Sequence, residues 1–301
     1  MVYNFNIEVA MDSIKQKPWD GIGVEASTNL SPRELAYKLN LDFVVTTGGF
    51  RPGQPKSYAN QETFQFFKSF TEQGEIPFET IGTLDNGRIV WALAPLKNEF
   101  TLIQDDQVKG YLLLASRNIN RDNIEVYFMA IRSASNSTIQ VHSKARTVFK
   151  NICRRPFTNQ FPFVSLESHK FDKDMIKKTK EAISFGQEAI SSFAQSAESL
   201  INKKVNNETA ERYMINVFQP KNSLKSAENN NSKTALAIEA FKTSPGQKLK
   251  SAHMTAWGLL TAVIYAIDHR LGNNKESRLR LAWFGPNAKI KQRALELALK
   301  L

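Results

Sequence analysis

A hairpin-turn signal, Asp85-Asn86-Gly87, separates two strand-like segments at residues 77–84 and 88–95. It constrains the fold more than any other short stretch of the chain. Asn-Gly pairs favour the left-handed backbone that a tight hairpin turn requires. Two further strands are predicted at 107–116 and 124–132, joined by a polar turn. Because short turns join antiparallel neighbours, these segments predict an antiparallel β-meander.

Helical patterns flank this β region. Ser31, followed by Pro32 and Glu34, predicts one helix start, because it can cap the helix and Glu34 can complete the capping box. Asn60 predicts a second helix, whose phenylalanines recur at helical spacing. A short strand is expected at 139–142 and a helix at 144–152. The fold class is therefore α+β, an antiparallel β-meander flanked by helices.

The chain from residue 172 onward is predicted to be mainly helical. An apolar stripe marks residues 183–201 as one face of a long amphipathic helix. The polar stretch 219–233 predicts a mobile linker. We expect two regions, an α+β domain at 1–171 and a helical region at 172–301. Further helices are expected at Thr209–Phe218, His253–His269 and Ala288–Leu301.

Several protein classes are disfavoured by what the sequence lacks. Cys153 is the only cysteine, which excludes disulfides within the chain and cysteine-rich zinc sites and fits a reducing compartment. The apolar stretches are too short to span a bilayer, and the N-terminus does not resemble a signal peptide. A cytoplasmic location, with no membrane partner, is therefore expected.

Positive charge is concentrated in one part of the chain. The net charge is +11, and residues 117–155 contain eight Lys or Arg against two Asp or Glu. Aromatic residues lie on the same predicted strands. Cations that bind phosphates beside aromatic faces that stack on bases are typical of single-strand binding without sequence readout. The predicted nucleic-acid-binding residues are Arg117, Arg121, Tyr127, Arg132, Lys144, Arg146, Lys150, Arg154 and Arg155.

No complete catalytic motif is present. The histidines do not show a paired metal-ligand spacing, and the glycine-rich stretch Gly48–Pro55 matches no phosphate-binding loop. We therefore predict no catalytic residue, no metal and no cofactor. An enzyme remains an alternative, a nuclease or DNA-modifying protein with a split site at Glu79, Asp268 and His269.

An ordered series of motifs runs from about residue 18 to the end. The series includes four segments: a block that begins with Glu-Thr at Glu79–Ala94, then Arg146–Ile152, Thr255 to His269, and Trp283-Phe284-Gly285. With these motifs the chain resembles the phage/plasmid-like family catalogued as domain of unknown function nine hundred and thirty-two. The family's cysteine is replaced here by Phe149, so no catalytic role is carried over to that position.

This resemblance implies an origin in phages or plasmids, and hence the cytoplasm of a bacterial host. The predicted topology is also similar to that of single-strand annealing recombination proteins, which form rings around a basic groove. The leading hypothesis is a phage recombination protein that binds and anneals single-stranded DNA as a homo-oligomer, a ring or a filament. The remaining alternative is an interaction protein, such as an antagonist of restriction or a virion component.

Overall fold

The computed structural model describes residues 16–25, 57–117, 123–141, 147–149, 172–219 and 227–301. These residues form one seven-stranded sheet and seven α-helices. The strands are β1 Gly23–Glu25, β2 Thr80–Leu84, β3 Ile89–Leu102, β4 Asp106–Arg117, β5 Ile124–Arg132, β6 Ser137–Val141 and β7 Thr147–Phe149. The helices are α1 Ser57–Gly74, α2 Lys173–Asn202, α3 Asn207–Phe218, α4 Ala227–Thr243, α5 Ala256–Tyr265, α6 Lys275–Phe284 and α7 Pro286–Ala298. The α+β class is confirmed.

The sheet is an antiparallel meander, with the strands in the order β1-β2-β3-β4-β5-β6. Leu84 pairs with Ile89 across the predicted hairpin. Asp85, Asn86 and Gly87 between them have φ values of 56°, 53° and 76°. This left-handed backbone is the reason that Asn and Gly are suited to the turn.

The outer side of β5 is shared by two short strands. β6 pairs with Phe128–Arg132, and β7 pairs with Ile124–Val126. The helix predicted at 144–152 is therefore wrong for residues 147–149, which form β7. Tertiary packing explains the difference, because Phe149 is buried against Phe66 and Phe70 of α1.

Helices cover both faces of the sheet. On one face α2 packs on β3, β4 and β5, and Phe185 of α2 contacts Phe128, with ring centroids 5.0 Å apart. On the other face Trp283 of α6 lies edge-on to Trp91 of β3, with centroids 5.1 Å apart. The predicted structural role of the Glu79–Ala94 block agrees with Trp91, which is fully buried.

The apolar stripe of α2 is buried within this chain. Ile183, Ile190, Phe193 and Leu200 belong to the same buried cluster as the strands. The predicted boundary at residue 171 therefore separates regions of different secondary structure that share one core. Because the stripe is already covered within the chain, it is not available as a contact surface between copies.

Two further predictions from sequence have clear outcomes. The mobile linker predicted at 219–233 is wrong from residue 227 onward, where α4 begins. α4 begins with polar residues, but Ala237 and Ala240 further along the helix are buried, so packing stabilises it. The helix predicted at Ser31 lies outside the described residues. No helix among the described residues is long and apolar enough to cross a membrane.

The edge of β6 is closed by a buried ion pair from the helical half. The Asp268 carboxylate accepts from the Thr138 backbone N–H at 2.7 Å, and Lys291 Nζ donates to the Thr138 carbonyl at 2.7 Å. Asp268 and Lys291 also pair with each other, and their side chains are almost fully buried. Burial lowers the pKa of Lys291 below its ordinary value, although the Asp268 charge opposes that shift.

Candidate nucleic-acid interface

The ends of β3, β4, β5 and β7 lie side by side at one end of the sheet. Arg117 pairs with Ile89, the residue after Arg88, and the neighbouring Ser116 pairs with Ile124. Ile124 in turn pairs with Phe149, the last residue of β7. We call this row, from Arg88 to Phe149, the basic end of the sheet. Arg88 is more than half exposed there, and its contact with Asp85 is long at 3.9 Å.

Six of the predicted cations belong to chain segments that adjoin this end or β7 in the sequence. Arg121 falls in the connection from β4 to β5, and Lys144 and Arg146 fall between β6 and β7. Lys150, Arg154 and Arg155 follow β7 in the sequence. All six lie outside the described residues.

Arg117 and Tyr127 share one carboxylate. Arg117 Nη2 lies 2.9 and 2.7 Å from the two oxygens of Glu125, and the Tyr127 hydroxyl donates to the same group. Burial lowers the pKa of Arg117, but Glu125 outweighs it, so that pKa is raised. Tyr127 is only 8% exposed. The prediction that Tyr127 stacks on bases is therefore wrong in this structure, and the charge of Arg117 is compensated.

Arg132, also predicted to bind nucleic acid, does not lie at the basic end of the sheet. It lies at the opposite end of β5, is 3% exposed, and forms two hydrogen bonds of 2.7 and 2.8 Å with Asp106. Asp106 additionally accepts from Ser251 and from the Trp257 indole. The Arg132–Asp106 pair connects the sheet to the helical half, and loss of either partner would leave a buried charge uncompensated. Arg132 cannot bind a phosphate in this conformation.

The structure adds a group of lysines that the sequence analysis missed. Lys173, Lys177 and Lys180 are exposed in the first turns of α2. They lie near one another because residues three and four apart share a helix face. The adjacent Lys178 connects the start of α2 to β7, since its Nζ donates to the Val148 carbonyl at 2.5 Å. The sequence signal for this group is the lysine spacing in residues 173–180, which lie in the region predicted only to be mainly helical.

A further exposed lysine lies close to Arg88. Glu276, in the first turn of α6, accepts from the Asp85 backbone N–H at 2.5 Å, which attaches α6 to the hairpin turn. Lys275, the residue before it, is exposed. Among the described residues, exposed cations are therefore found on α2, beside its contact with β7, and at Arg88 and Lys275 around the hairpin turn.

The two carboxylates of the alternative split site are each bound by other side chains. Glu79 pairs with Lys17 at 2.7 Å and accepts from the Tyr111 hydroxyl, whereas Asp268 is bound to Lys291 and Thr138. Burial raises the pKa of Glu79, but Lys17 and Tyr111 outweigh that effect and lower it. Glu79 and Asp268 thus bind separate sets of residues. Within the described part of the chain, no group of three or more His, Cys, Asp and Glu is placed to hold a metal ion.

Fold and surface together define an α+β protein with an antiparallel sheet, a shared helical core and cations around one sheet end. Residues 56–155 and 168–283 match the family described as Domain of unknown function (DUF932). The match covers more than half of the chain, which therefore belongs to this family. Comparison with curated proteins and with solved structures gave no match. The similarity to annealing proteins therefore stays a prediction.

Proposed function

We propose that this chain binds single-stranded DNA without reading its sequence and promotes the annealing of complementary strands during recombination. The observation that carries the proposal is the contact between the lysine-rich start of α2 and β7. The +6 segment 117–155 passes through β7, and Lys178, whose neighbour Lys177 is exposed, donates to the Val148 carbonyl of that strand. A polyanion is the class of partner that such a surface attracts.

The exposed cations of this surface are weakly compensated. Lys177 contacts Glu181 only at 3.9 Å, with both side chains more than 60% exposed. Pairs of this kind contribute little and are screened by salt. A phosphate can therefore replace the carboxylate at low cost. Arg117 is different, because its short bonds to Glu125 must be broken first.

Base stacking needs an aromatic side chain at the surface. Tyr111, Tyr127 and Phe128, the aromatics beside the basic segment, are all buried. Phe185 of α2 is 39% exposed and lies two helical turns after Lys178, on the same helix face. We assign it the stacking role, because every base offers a flat face to such a ring.

Annealing requires no cofactor in this proposal, because base pairing itself supplies the free energy. The cations reduce repulsion between the two phosphate backbones and keep the strands close together. A homo-oligomer would lengthen the surface along the DNA, and that assembly stays a prediction. Light scattering with and without DNA measures it, and a monomer in both conditions would contradict it.

Fluorescence anisotropy with a labelled oligonucleotide tests the binding. We expect tighter binding to a single strand than to its duplex, and affinity that falls with salt by about 0.7 log units per neutralised phosphate for each log unit of salt. With a fluorophore on one strand and a quencher on its complement, the gain of quenching measures annealing. No binding to single strands at about 50 mM salt, the low end of the usual range, would remove the proposal.

A further inference from the structure

Two turns lie against each other where the sheet meets the helical half. The first joins β5 to β6 at residues 133–136, and the second follows α4 at residues 244–247. Arg132 Nη2 donates to the Gly246 carbonyl at 2.9 Å, and a Cβ on Gly246 would lie 2.8 Å from the Ala134 Cβ. Gly246 has a φ of 81°, so a side chain is excluded there by backbone and neighbours alike. We call this contact the turn junction.

Four buried polar atoms at the turn junction have no hydrogen-bond partner among the described residues. They are Arg132 Nη1, Ser135 Oγ, Ser244 Oγ and Gln247 Oε1, and their residues are only 3–6% exposed. His269, whose ring forms a hydrogen bond with the Ser135 backbone, adds an unpaired Nε2. A buried donor or acceptor without a partner is costly, so such atoms in native proteins are satisfied by ordered water or by a ligand.

The chemistry of these atoms selects water as the occupant. Arg132 Nη1 can only donate, whereas Gln247 Oε1 can only accept, because the Gln247 Nε2 donates to the Gly258 carbonyl and fixes the amide. The guanidinium repels a metal cation. Asp106 already compensates the charge of Arg132, so an anion would be buried without a counter-charge. Water is small, and it both donates and accepts.

We infer that the turn junction is a binding site for a small cluster of water molecules. Ser135 belongs to a turn of the sheet, while Ser244 and Gln247 belong to the helical half. Water that bonds to both sides holds them together nearly as well as direct hydrogen bonds do. The contact between the two halves is therefore hydrated at this point, in contrast to the apolar packing of α2 on the sheet. This inference does not depend on the binding of a nucleic acid.

Removing one hydroxyl tests the inference through the direction of its effect. Ser135→Ala and Ser244→Ala each delete one buried Oγ, and urea denaturation followed by circular dichroism gives the midpoint. A hydroxyl that bonds to water should lower the midpoint when it is lost, because the remaining groups lose a partner. A dry, unpaired hydroxyl should raise the midpoint when it is lost, because its desolvation penalty disappears. We expect both midpoints to fall.

Ser251→Ala is the matched control. The Ser251 hydroxyl is also fully buried, but it donates directly to Asp106 at 2.7 Å, so its loss should lower the midpoint whether or not the junction holds water. A crystal structure of the full chain, at a resolution that shows ordered water, then locates the occupant. We expect water about 2.7–3.2 Å from Arg132 Nη1 and from the Ser135 or Ser244 hydroxyl.

Three results would overturn the inference. The first is that either serine variant keeps or raises the wild-type midpoint while Ser251→Ala lowers it. The second is that the crystal structure shows the Arg132, Ser135 and Ser244 side chains bonded directly to other protein groups. The third is density at the turn junction that fits an anion or a metal ion instead of water.

Discussion

Asp268 and Lys291 bind the two backbone groups of a single residue, Thr138, on the open side of β6. The carboxylate takes the position of a strand's carbonyl, and the ammonium takes the position of a strand's N–H. The Thr138 hydroxyl also contacts both side chains, and the Trp283 indole donates to it at 3.0 Å. An ion pair thus replaces a neighbouring strand.

Removing one member of this pair should be costly. Lys291→Met leaves Asp268 charged and buried without its partner, so we expect a loss of roughly 3–5 kcal/mol in the free energy of unfolding. Urea denaturation followed by circular dichroism measures it. The double variant Asp268→Asn with Lys291→Met leaves no buried charge there and should recover part of the loss. A Lys291→Met protein within about 1 kcal/mol of wild type would contradict this account.

Gly82 should tolerate no side chain, because a Cβ there would clash with the Trp91 indole. Gly82 and Trp91 are paired across β2 and β3. Gly82→Ala should destabilise by roughly 1–3 kcal/mol, as overpacking does, and Trp91→Ala by roughly 3–5 kcal/mol. Thr83→Ala, at the next and half-buried position, is the control and should cost less. Equal stability of Gly82→Ala and wild type would show that the indole can move.

Charge reversal tests the interface. Arg146→Glu, Lys150→Glu, Arg154→Glu and Lys177→Glu should each weaken single-strand binding about equally for all sequences and reduce the salt slope. Lys242→Glu is the control, because Lys242 is exposed on α4, which packs on helices of the C-terminal half. Circular dichroism checks folding. If all four variants fold and retain wild-type affinity, the binding surface lies elsewhere.

Phe185→Ala tests base stacking apart from charge. Phe185 is partly exposed, so its removal should change single-strand affinity more than fold stability. We expect a loss of roughly 1–3 kcal/mol in binding free energy, the value of one stacked base, with the salt slope unchanged. Titrations at several salt concentrations separate the two quantities. Unchanged affinity for single strands would exclude Phe185 as a stacking side chain.

His269 should make the fold sensitive to acid. Burial lowers the pKa of His269 below its ordinary value of 6.5, while the Asp268 charge opposes the shift. Just below that value the unfolded chain binds a proton that the folded chain does not, so stability should fall as the pH falls. Urea midpoints at about pH 7.5 and pH 5 measure it. His269→Gln should lose less stability than wild type over this range, and an equal loss would assign the acid sensitivity to other groups.

Local signals in the sequence predicted much of the sheet. The Asp85-Asn86-Gly87 turn predicted one hairpin, and two strand-like apolar segments joined by a polar turn predicted β4 and β5. β7 was missed, because Thr147–Phe149 is too short to show a period and its burial depends on phenylalanines of α1. A three-residue strand is determined by tertiary contacts rather than by local preference.

The binding surface was harder to predict, because sequence shows charge but not its partner. Arg132 and Arg117 looked alike in sequence, yet Asp106 and Glu125 compensate both of them. Each carboxylate lies on the strand next to its arginine, 26 residues away along the chain for Asp106 and 8 for Glu125. Composition alone does not reveal that the two charges are paired. The α2 lysines were visible, but their contact with β7 depends on how α2 packs across the sheet.

The two lysines that cap β6 and β7 also limit how copies of this chain can associate. A strand from another molecule adds to a sheet by pairing with free backbone groups at its edge. On the outer side of β6, Lys291 and Asp268 form hydrogen bonds with the backbone carbonyl and N–H of Thr138. On β7, Lys178 donates a hydrogen bond to the carbonyl of Val148. Continuation of the sheet from one molecule into the next is therefore blocked at these positions. At Thr138 and Val148, contacts between copies would have to involve side chains rather than strand pairing.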